Sequence, residues 1–494
     1  VSAPIARIAV FGGGLVGLSA ATAFAHALRG TQVELIATPA DPAALADRMP
    51  GTIPSIRTFN DAIGFPEPEM IRGAGAIHRL AIRFENWAAD GAEWLHGYGQ
   101  FGPRGVANFA AQWAIASAGG DQTPLHKHHM GAALAAAERF APPSEDPRSP
   151  LADFTYALTI DPSGYHAGLS ALAEHRRIAS SHGAIGAVER GENGRIVSVA
   201  LADGRSIVAD LFIDATGPSA LLLSQLDDSF ERWSDVLPCD RLLLARAPPS
   251  LSLVETVTAL DCGWRWRAPG RRASSLGLAY ASALTPEDEA LHHFGPAPEE
   301  SVAFCPGRRP HSWIGNVLAI GDAAVAVDPL EATNLHLAHS AILRAIELLP
   351  TRNFAPPLIA EYNRRTRDET IRVRDFLAAH YCRSGRRRGA FWRAASAARL
   401  PESLARTLDL FEARGRLPHF EEESFRDEDW KAVLLGMGVI PARPDPVALV
   451  MTDHDRTELL RTTEQRIAAI AVAAPTYREV LMTNSRLPPS THGI

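Results

Sequence analysis

Short apolar runs, glycine turns and helical stretches alternate through the first part of the chain. Residues Ala6 to Phe11 form an apolar run, Gly12-Gly13-Gly14-Leu15-Val16-Gly17 follows, an alanine-rich helical segment extends to Leu28, and Val33 to Ala37 is a second apolar run. This pattern predicts strand, glycine turn, helix and strand within one βαβ unit. Each spaced glycine has its own physical reason. Gly12 makes the tight turn, Gly14 lets the backbone approach a pyrophosphate, and Gly17 lets the helix pack on the sheet. Leu15 and Val16, at the helix start, offer free N–H groups and the positive end of the helix dipole to a phosphate. A plain tight turn is the alternative for the glycines alone. The carboxylate that such units place on a ribose hydroxyl would fall at Ala37 or Thr38, and neither residue has one. A single, weaker contact from Thr38 is expected there.

The same pattern recurs further on. Arg195 to Leu201 and Ser206 to Ile213 read as two strands joined by a tight turn at Asp203-Gly204, because Asp-Gly favours positive φ. The second strand runs into Asp214-Ala215-Thr216-Gly217. Ile314 to Ile320 is another apolar strand, leading into Gly321-Asp322-Ala323-Ala324. Helical patterns dominate from about Ala338, with proline breaks at Pro350, at Pro401 and from Pro441 to Pro446. Ala141 to Pro150, rich in proline, serine and charge, reads as a loop or linker. Strand ends bearing Gly17, Gly217 and Gly321-Asp322 follow one another in the order expected of an FAD-binding oxidoreductase domain interrupted by other segments. Asp322 is placed to hydrogen-bond ribityl or phosphate-side hydroxyls of a flavin. A helix N-cap is its plainer role, and the two can coexist.

Composition narrows the class. With 494 residues, 46% hydrophobic and 21% charged, the chain is an ordinary globular one, neither disordered nor fibrous. No stretch approaches 18 uncharged apolar residues, and Val1 to Val10 shows no secretory pattern, so a soluble, cytoplasmic protein without membrane contact is expected. The net charge of −7 has no basic excess of the kind that favours nucleic acid. Cys239, Cys262, Cys305 and Cys382 have no paired spacing, so neither a disulfide framework nor a metal site is expected. His126, His128 and His129 around Lys127 read as a solvated loop rather than as metal ligands. Lysine occurs only at Lys127 and Lys431, so chemistry that needs an amine has two places to find one.

Two further segments are more specific. They are Gly263-Trp264-Arg265-Trp266-Arg267-Ala268-Pro269 and Gly321-Asp322-Ala323-Ala324-Val325-Ala326-Val327-Asp328-Pro329-Leu330-Glu331-Ala332-Thr333-Asn334. With the N-terminal glycines they resemble the flavin-dependent tryptophan halogenase family, which carries a Gly-Trp-x-Trp-x-Ile-Pro segment and a Pro-Leu-Glu-Ser-Thr-Gly run. The likeness continues, in family order, through Thr52-Ile53-Pro54-Ser55, Ile82 to Trp87, His380-Tyr381, Phe391-Trp392, Trp430 and Gly436-Met437-Gly438 to Pro441, nearly the whole chain.

The resemblance implies an α/β protein with a Rossmann-like FAD-binding fold of the flavin monooxygenase/halogenase type, a substrate subdomain and a helical C-terminal region. Its expected layout is a discontinuous FAD module in 1–350 (mainly 1–60, 155–220 and 300–350). Substrate-side segments are inserted at about 70–150 and 225–300, and residues 351–494 complete the substrate pocket. FAD would arrive reduced from a separate flavin reductase, and chloride or bromide would be the co-substrate. A flavin hydroperoxide would oxidise halide to hypohalous acid, which halogenates a small electron-rich aromatic such as an indole or phenol. A homodimer is compatible with this reading.

By the same resemblance Gly12, Gly14, Leu15, Val16, Gly17, Thr38, Gly217, Asp322 and Leu337 would bind cofactor. Thr333 and Asn334 would hold halide, Trp264 and Trp266 would wall flavin from substrate, and Phe101 and Trp430 would line the substrate pocket. Glu331 matches the family's catalytic glutamate. Arg79, eight residues before Trp87, stands where the family has its catalytic lysine, and Asn334 stands for a glycine. Asparagine tolerates left-handed φ. A guanidinium donates hydrogen bonds but does not readily lose a proton, which makes a chloramine-like adduct implausible. The other readings are an FAD-dependent aromatic monooxygenase and a non-catalytic flavin-binding homologue.

Overall fold

Arg7–Phe11 (RIAVF) has no polar residue after its first, the composition of a strand covered on both faces. In the computed structural model, which describes residues 3–89, 91–106 and 108–486, it lies inside a six-stranded sheet. The order is Trp313–Ile314, Val317–Ala319, Leu211–Asp214, Arg7–Phe11, Gln32–Ala37, Ala179–His182. All pairings are parallel except the edge hairpin Trp313–Ile314 with Val317–Ala319. The helix Leu15–Ala27 follows the first strand, giving the expected strand, turn, helix and strand. Open parallel sheets bind ligands at the carboxyl ends of their strands. Here the turns at Gly12–Gly17, Gly217 and Gly321 all leave from such ends.

The chain divides into two compact units. The first comprises 1–76, 160–234 and 302–371, and the second 77–159, 235–301 and 372–494, with the boundary falling inside the helix Pro356–Cys382. In the second unit the strands Arg241–Ala247, Ser274–Tyr280, Gly263–Ala268, Val254–Leu260, Ala81–Glu85 and Trp94–Gly97 lie side by side in that order. A short pair, Ile77–Arg79 with Ala157–Thr159, and helices such as Phe109–Ala118, Glu402–Arg414 and Asp427–Gly436 complete it. Among the described residues no helix is long and apolar enough to cross a membrane.

Three expectations change. Ser206 to Ile213 is not one strand: Ser206–Ile207 pairs with Ile196–Leu201, and Leu211–Asp214 then joins the parallel sheet. Between them Asp210 accepts the N–H groups of Ala6 and Arg7, pinning the crossing point. Ile314 to Ile320 is a hairpin, because Gly315 takes φ +57° and reverses the chain. The histidine run is only partly solvated, with Lys127 exposed and His126 half-buried. Leu125–His128 is a short 3₁₀ helix, His128 and His129 are buried, and His129 caps the helix Met130–Ala136 by accepting the Ala132 N–H. Burial holds His129 down to about 3, so it stays neutral at ordinary pH. As expected, residues 141–149 form a loop, which lies inside the second unit and ends at the 3₁₀ helix Pro150–Asp153.

Candidate active site

The expected residues divide between the units: the glycine turns, Thr38, Asp322, Glu331, Thr333, Asn334 and Leu337 lie in the first, and Arg79, Phe101, Trp264, Trp266 and Trp430 in the second.

In the first unit the glycines are required by space. A Cβ on Gly17 would sit 1.9 Å from the Gly12 carbonyl oxygen, and one on Gly12, at φ +129°, 2.2 Å from the Ala215 oxygen. Gly13 packs on Ala37, where an added Cβ would come within 2.8 Å, so the place expected for a ribose-binding carboxylate is used for packing. Thr38 beside it is half-buried. The segment from Asp41 to Asp47 lies along all three turns. Asp41 accepts the Ser219 N–H beside Gly217, Asp322 accepts the N–H groups of Leu45 and Ala46 at 2.9 Å, and Asp47 accepts the Leu15 N–H at 2.6 Å. Asp47 therefore puts a carboxylate on the helix start where a phosphate was expected. This is a stand-in anion that shows the site suits one. Burial raises Asp47 despite its bonds to Leu15 and Val16. Burial first, and then the charge of Asp47, push Asp322 up to about 7.

The second feature of this unit is the turn before the helix Asn334–Glu347. Glu331, 2% exposed, has φ +60° and ψ +5°, and Ala332 has φ +59°. Thr333 then returns to the right-handed region. Left-handed followed by right-handed residues bring successive N–H groups toward one concavity, an arrangement that suits an anion. The Asn334 side-chain NH₂ donates to the Val327 carbonyl at 2.8 Å. Its Oδ1 and the Thr333 hydroxyl are buried and meet no hydrogen-bond partner among the described residues. Leu337 closes the first turn by donating to the Thr333 carbonyl.

In the second unit, register puts several of the named residues on one sheet face. Trp266 lies opposite Val257, Trp264 opposite Ala259, and Glu255 and Val257 neighbour Ile82 and Phe84. Residues two apart share a face, so Glu255, Trp264 and Trp266 do. The tryptophans are 1% and 3% exposed, their rings 5.4 Å apart. Trp264 donates to the Tyr381 hydroxyl at 2.9 Å, and Gly277 is small because the Trp266 ring occupies its Cβ position. Arg79, at the end of Ile77–Arg79, is 1% exposed and forms an ion pair with Glu255, Nε to Oε2 3.4 Å. Phe101 lines a cavity of about 290 Å³ with Trp94, Trp113 and His126. Trp430 is buried edge-on to Phe376, 5.0 Å between rings, and Phe391 and Trp392 are core residues.

Asp47 and Glu255 escaped sequence reasoning. Asp47 sits in no motif. Glu255 left a signal, a charge inside the apolar strand Val254–Leu260, but its partner is 176 positions away.

This chain is 28% identical over 491 residues to the tryptophan 7-halogenase RebH of Lentzea aerocolonigenes, covering 90% of this chain and 92% of that protein. BrvH, a flavin-dependent halogenase from Brevundimonas sp. BAL3, superimposes with a TM-score of 0.91 at 31% identity, covering 97% of this chain and 99% of BrvH. Xcc4156, a flavin-dependent halogenase from Xanthomonas campestris, does so with a TM-score of 0.90 at 29% identity, covering 99% of this chain and all of that one. With its glycine turns, its buried Glu331 turn and a match to the tryptophan halogenase family model over residues 7–453, the chain belongs to the tryptophan halogenase family.

Proposed function

We propose that this protein halogenates a small electron-rich aromatic, an indole or a phenol, using FAD reduced by a separate reductase together with chloride or bromide. The observation that carries the reading is the strained turn at Glu331, a buried carboxylate at left-handed φ just before the helix Asn334–Glu347. Gly12, Gly14, Leu15, Val16, Gly17, Thr38, Gly217, Asp322 and Leu337 would hold FAD, with Asp47 yielding the helix start to the pyrophosphate. Bound in its reduced form and supplied with oxygen, halide and a proton, FAD furnishes one equivalent each of hypohalous acid and water.

The remaining work falls to side chains. The N–H groups of Thr333 and Asn334 bind the halide. Arg79 donates hydrogen bonds to hypohalous acid and polarises it. As the ring gains halogen and loses a proton, Glu331 takes that proton from the ring carbon and passes it to the hydroxide released from the reagent, which leaves as water. Trp264 and Trp266 keep substrate from the flavin, so that the aromatic is halogenated rather than hydroxylated. Phe101 and Trp430 supply aromatic surface for the substrate.

One observation favours a second reading, an FAD-dependent aromatic monooxygenase. The Asn334 amide is turned so that its NH₂ is used by Val327 and its oxygen is left over, and an acceptor beside the halide weakens anion binding. Mass spectrometry separates the two. Purified protein with a flavin reductase, NADH, FAD, oxygen and bromide or chloride should convert indole or phenol to a halogenated product that disappears when halide is omitted. A hydroxylated product independent of halide would replace the first reading by the second. Glu331→Gln should lower aromatic halogenation by about 10²–10⁴-fold while flavin reoxidation, followed by absorbance, keeps its wild-type rate.

A further inference from the structure

A hollow of about 140 Å³ lies wholly within the second unit, and none of the residues given above to cofactor, halide or substrate lines it. The helix Phe109–Ala118 turns Ala110, Ala111, Ala114, Ile115 and Ala118 to it, the spacing of a single helix stripe. Leucine or methionine at the alanine positions would close the space at little cost in helix propensity, so the helix itself does not demand small side chains there. Phe411, from Glu402–Arg414, and Leu435, from Asp427–Gly436, also line the hollow and are buried, which makes its interior apolar. Charge gathers where it opens, since the lining residues Arg414, Ile440 and Arg443 are exposed. Asp445, the one acidic lining residue, is 1% exposed and already engaged: it pairs with Arg416 at 2.7 Å and accepts the Val447 N–H at 3.0 Å. Lys431 is likewise taken, by Glu428 at 2.7 Å. Arg414 gives an N–H to the Pro444 carbonyl at 3.3 Å, and neither it nor Arg443 meets a carboxylate among the described residues.

We propose that this hollow binds a small aromatic carboxylate, its ring among the alanines, Phe411 and Leu435 and its carboxylate at Arg414 and Arg443. Apolar holes of about 150 Å³ stay dry and take benzene, so the space suits one ring. Burial of that ring supplies most of the affinity. The two exposed guanidiniums select the acid over a neutral analogue, by about 2–5-fold each. An inorganic anion would gain only the contact at the opening, which salt screens. Because no residue given a part in halogenation lines the hollow, the site stands or falls apart from that activity.

The test is calorimetric titration of the full chain with phenylacetate and with its neutral amide, phenylacetamide, and thermal unfolding midpoints give a second readout. Phenylacetate should bind with a Kd on the order of 0.1–1 mM and raise the midpoint. Phenylacetamide should bind about 4–25-fold more weakly. The double variant Arg414→Gln with Arg443→Gln, changed only at exposed positions, should weaken phenylacetate to the level of the amide and leave the amide unchanged. Ala114→Leu should fill the hollow, abolish binding of both probes and keep or raise the midpoint of the free protein. If that variant does not fold, the arginine pair decides. A wild type that binds no phenylacetate, or one that binds acid and amide equally, overturns the proposal. So does an arginine double variant with wild-type affinity, or phenylacetate binding that survives in folded Ala114→Leu, which would assign it to another cavity. No arm measures halogenation, so failure of that activity leaves every one of these outcomes unchanged.

Discussion

At the end of Arg7–Phe11 the backbone turns through Gly12 at φ +129°, whereas the turn before Asn334–Glu347 passes through Glu331 and Ala332 at +60° and +59°. Both turns stand at helix starts in the first unit, and both present N–H groups. The first uses the residue for which positive φ is free of steric cost. The second uses two residues for which it costs on the order of 1–2 kcal/mol each. Glycine at position 331 would remove that strain and the carboxylate with it. The glycine turn is thus shaped by space alone, and the Glu331 turn accepts strain to hold a carboxylate buried. Strain of this kind concentrates at sites that act on ligands.

Substitutions can break this contrast at either end. Gly17→Ala should have the largest effect, because its Cβ would meet the Gly12 carbonyl oxygen at 1.9 Å and both groups are backbone. A loss of about 3 kcal/mol or more is expected in urea unfolding. A variant as stable as wild type would show that the loop can shift, and its glycines would no longer be explained by packing.

At the third turn the burden is electrostatic. Asp322 is held at about 7 against an ordinary 3.8, so between those values the folded chain keeps a proton that the unfolded chain releases. Stability is then highest in acid and falls as pH rises, by up to about 1.4 kcal/mol per pH unit for one proton. Asp322→Asn, which still accepts the Leu45 and Ala46 N–H groups, should flatten that fall between pH 5 and 7. An unchanged slope in thermal unfolding would assign it to another group.

The smallest effect should come from Ala332→Gly. Relief of a positive φ should raise stability by about 0.5–1 kcal/mol. If the strain holds Glu331 in place, halogenation falls in the same variant. A rise in both would mean that the strain has no part in the chemistry.

The glycine turns, the first βαβ unit and the paired tryptophans were legible because each is a local pattern. The spacing of Gly12, Gly14 and Gly17 states its geometry within six residues, and alternation alone puts Trp264 and Trp266 on one face. His128 and His129 were misread for the complementary reason. Polar side chains next to one another look solvated until the packing that buries them is known.

The sequence by itself determined the family, the order of the glycine turns and the identity of the buried acid, since short motifs carry their own stereochemistry. Tertiary structure alone decided that Asp47 takes the helix start, that Asn334 spends its NH₂ on Val327, and that Arg79 forms an ion pair with Glu255. These partners lie between 7 and 176 positions apart, and no periodicity links them. A buried charge chooses its partner by proximity in the folded chain, and that proximity is set by strand register and turns rather than by residue order.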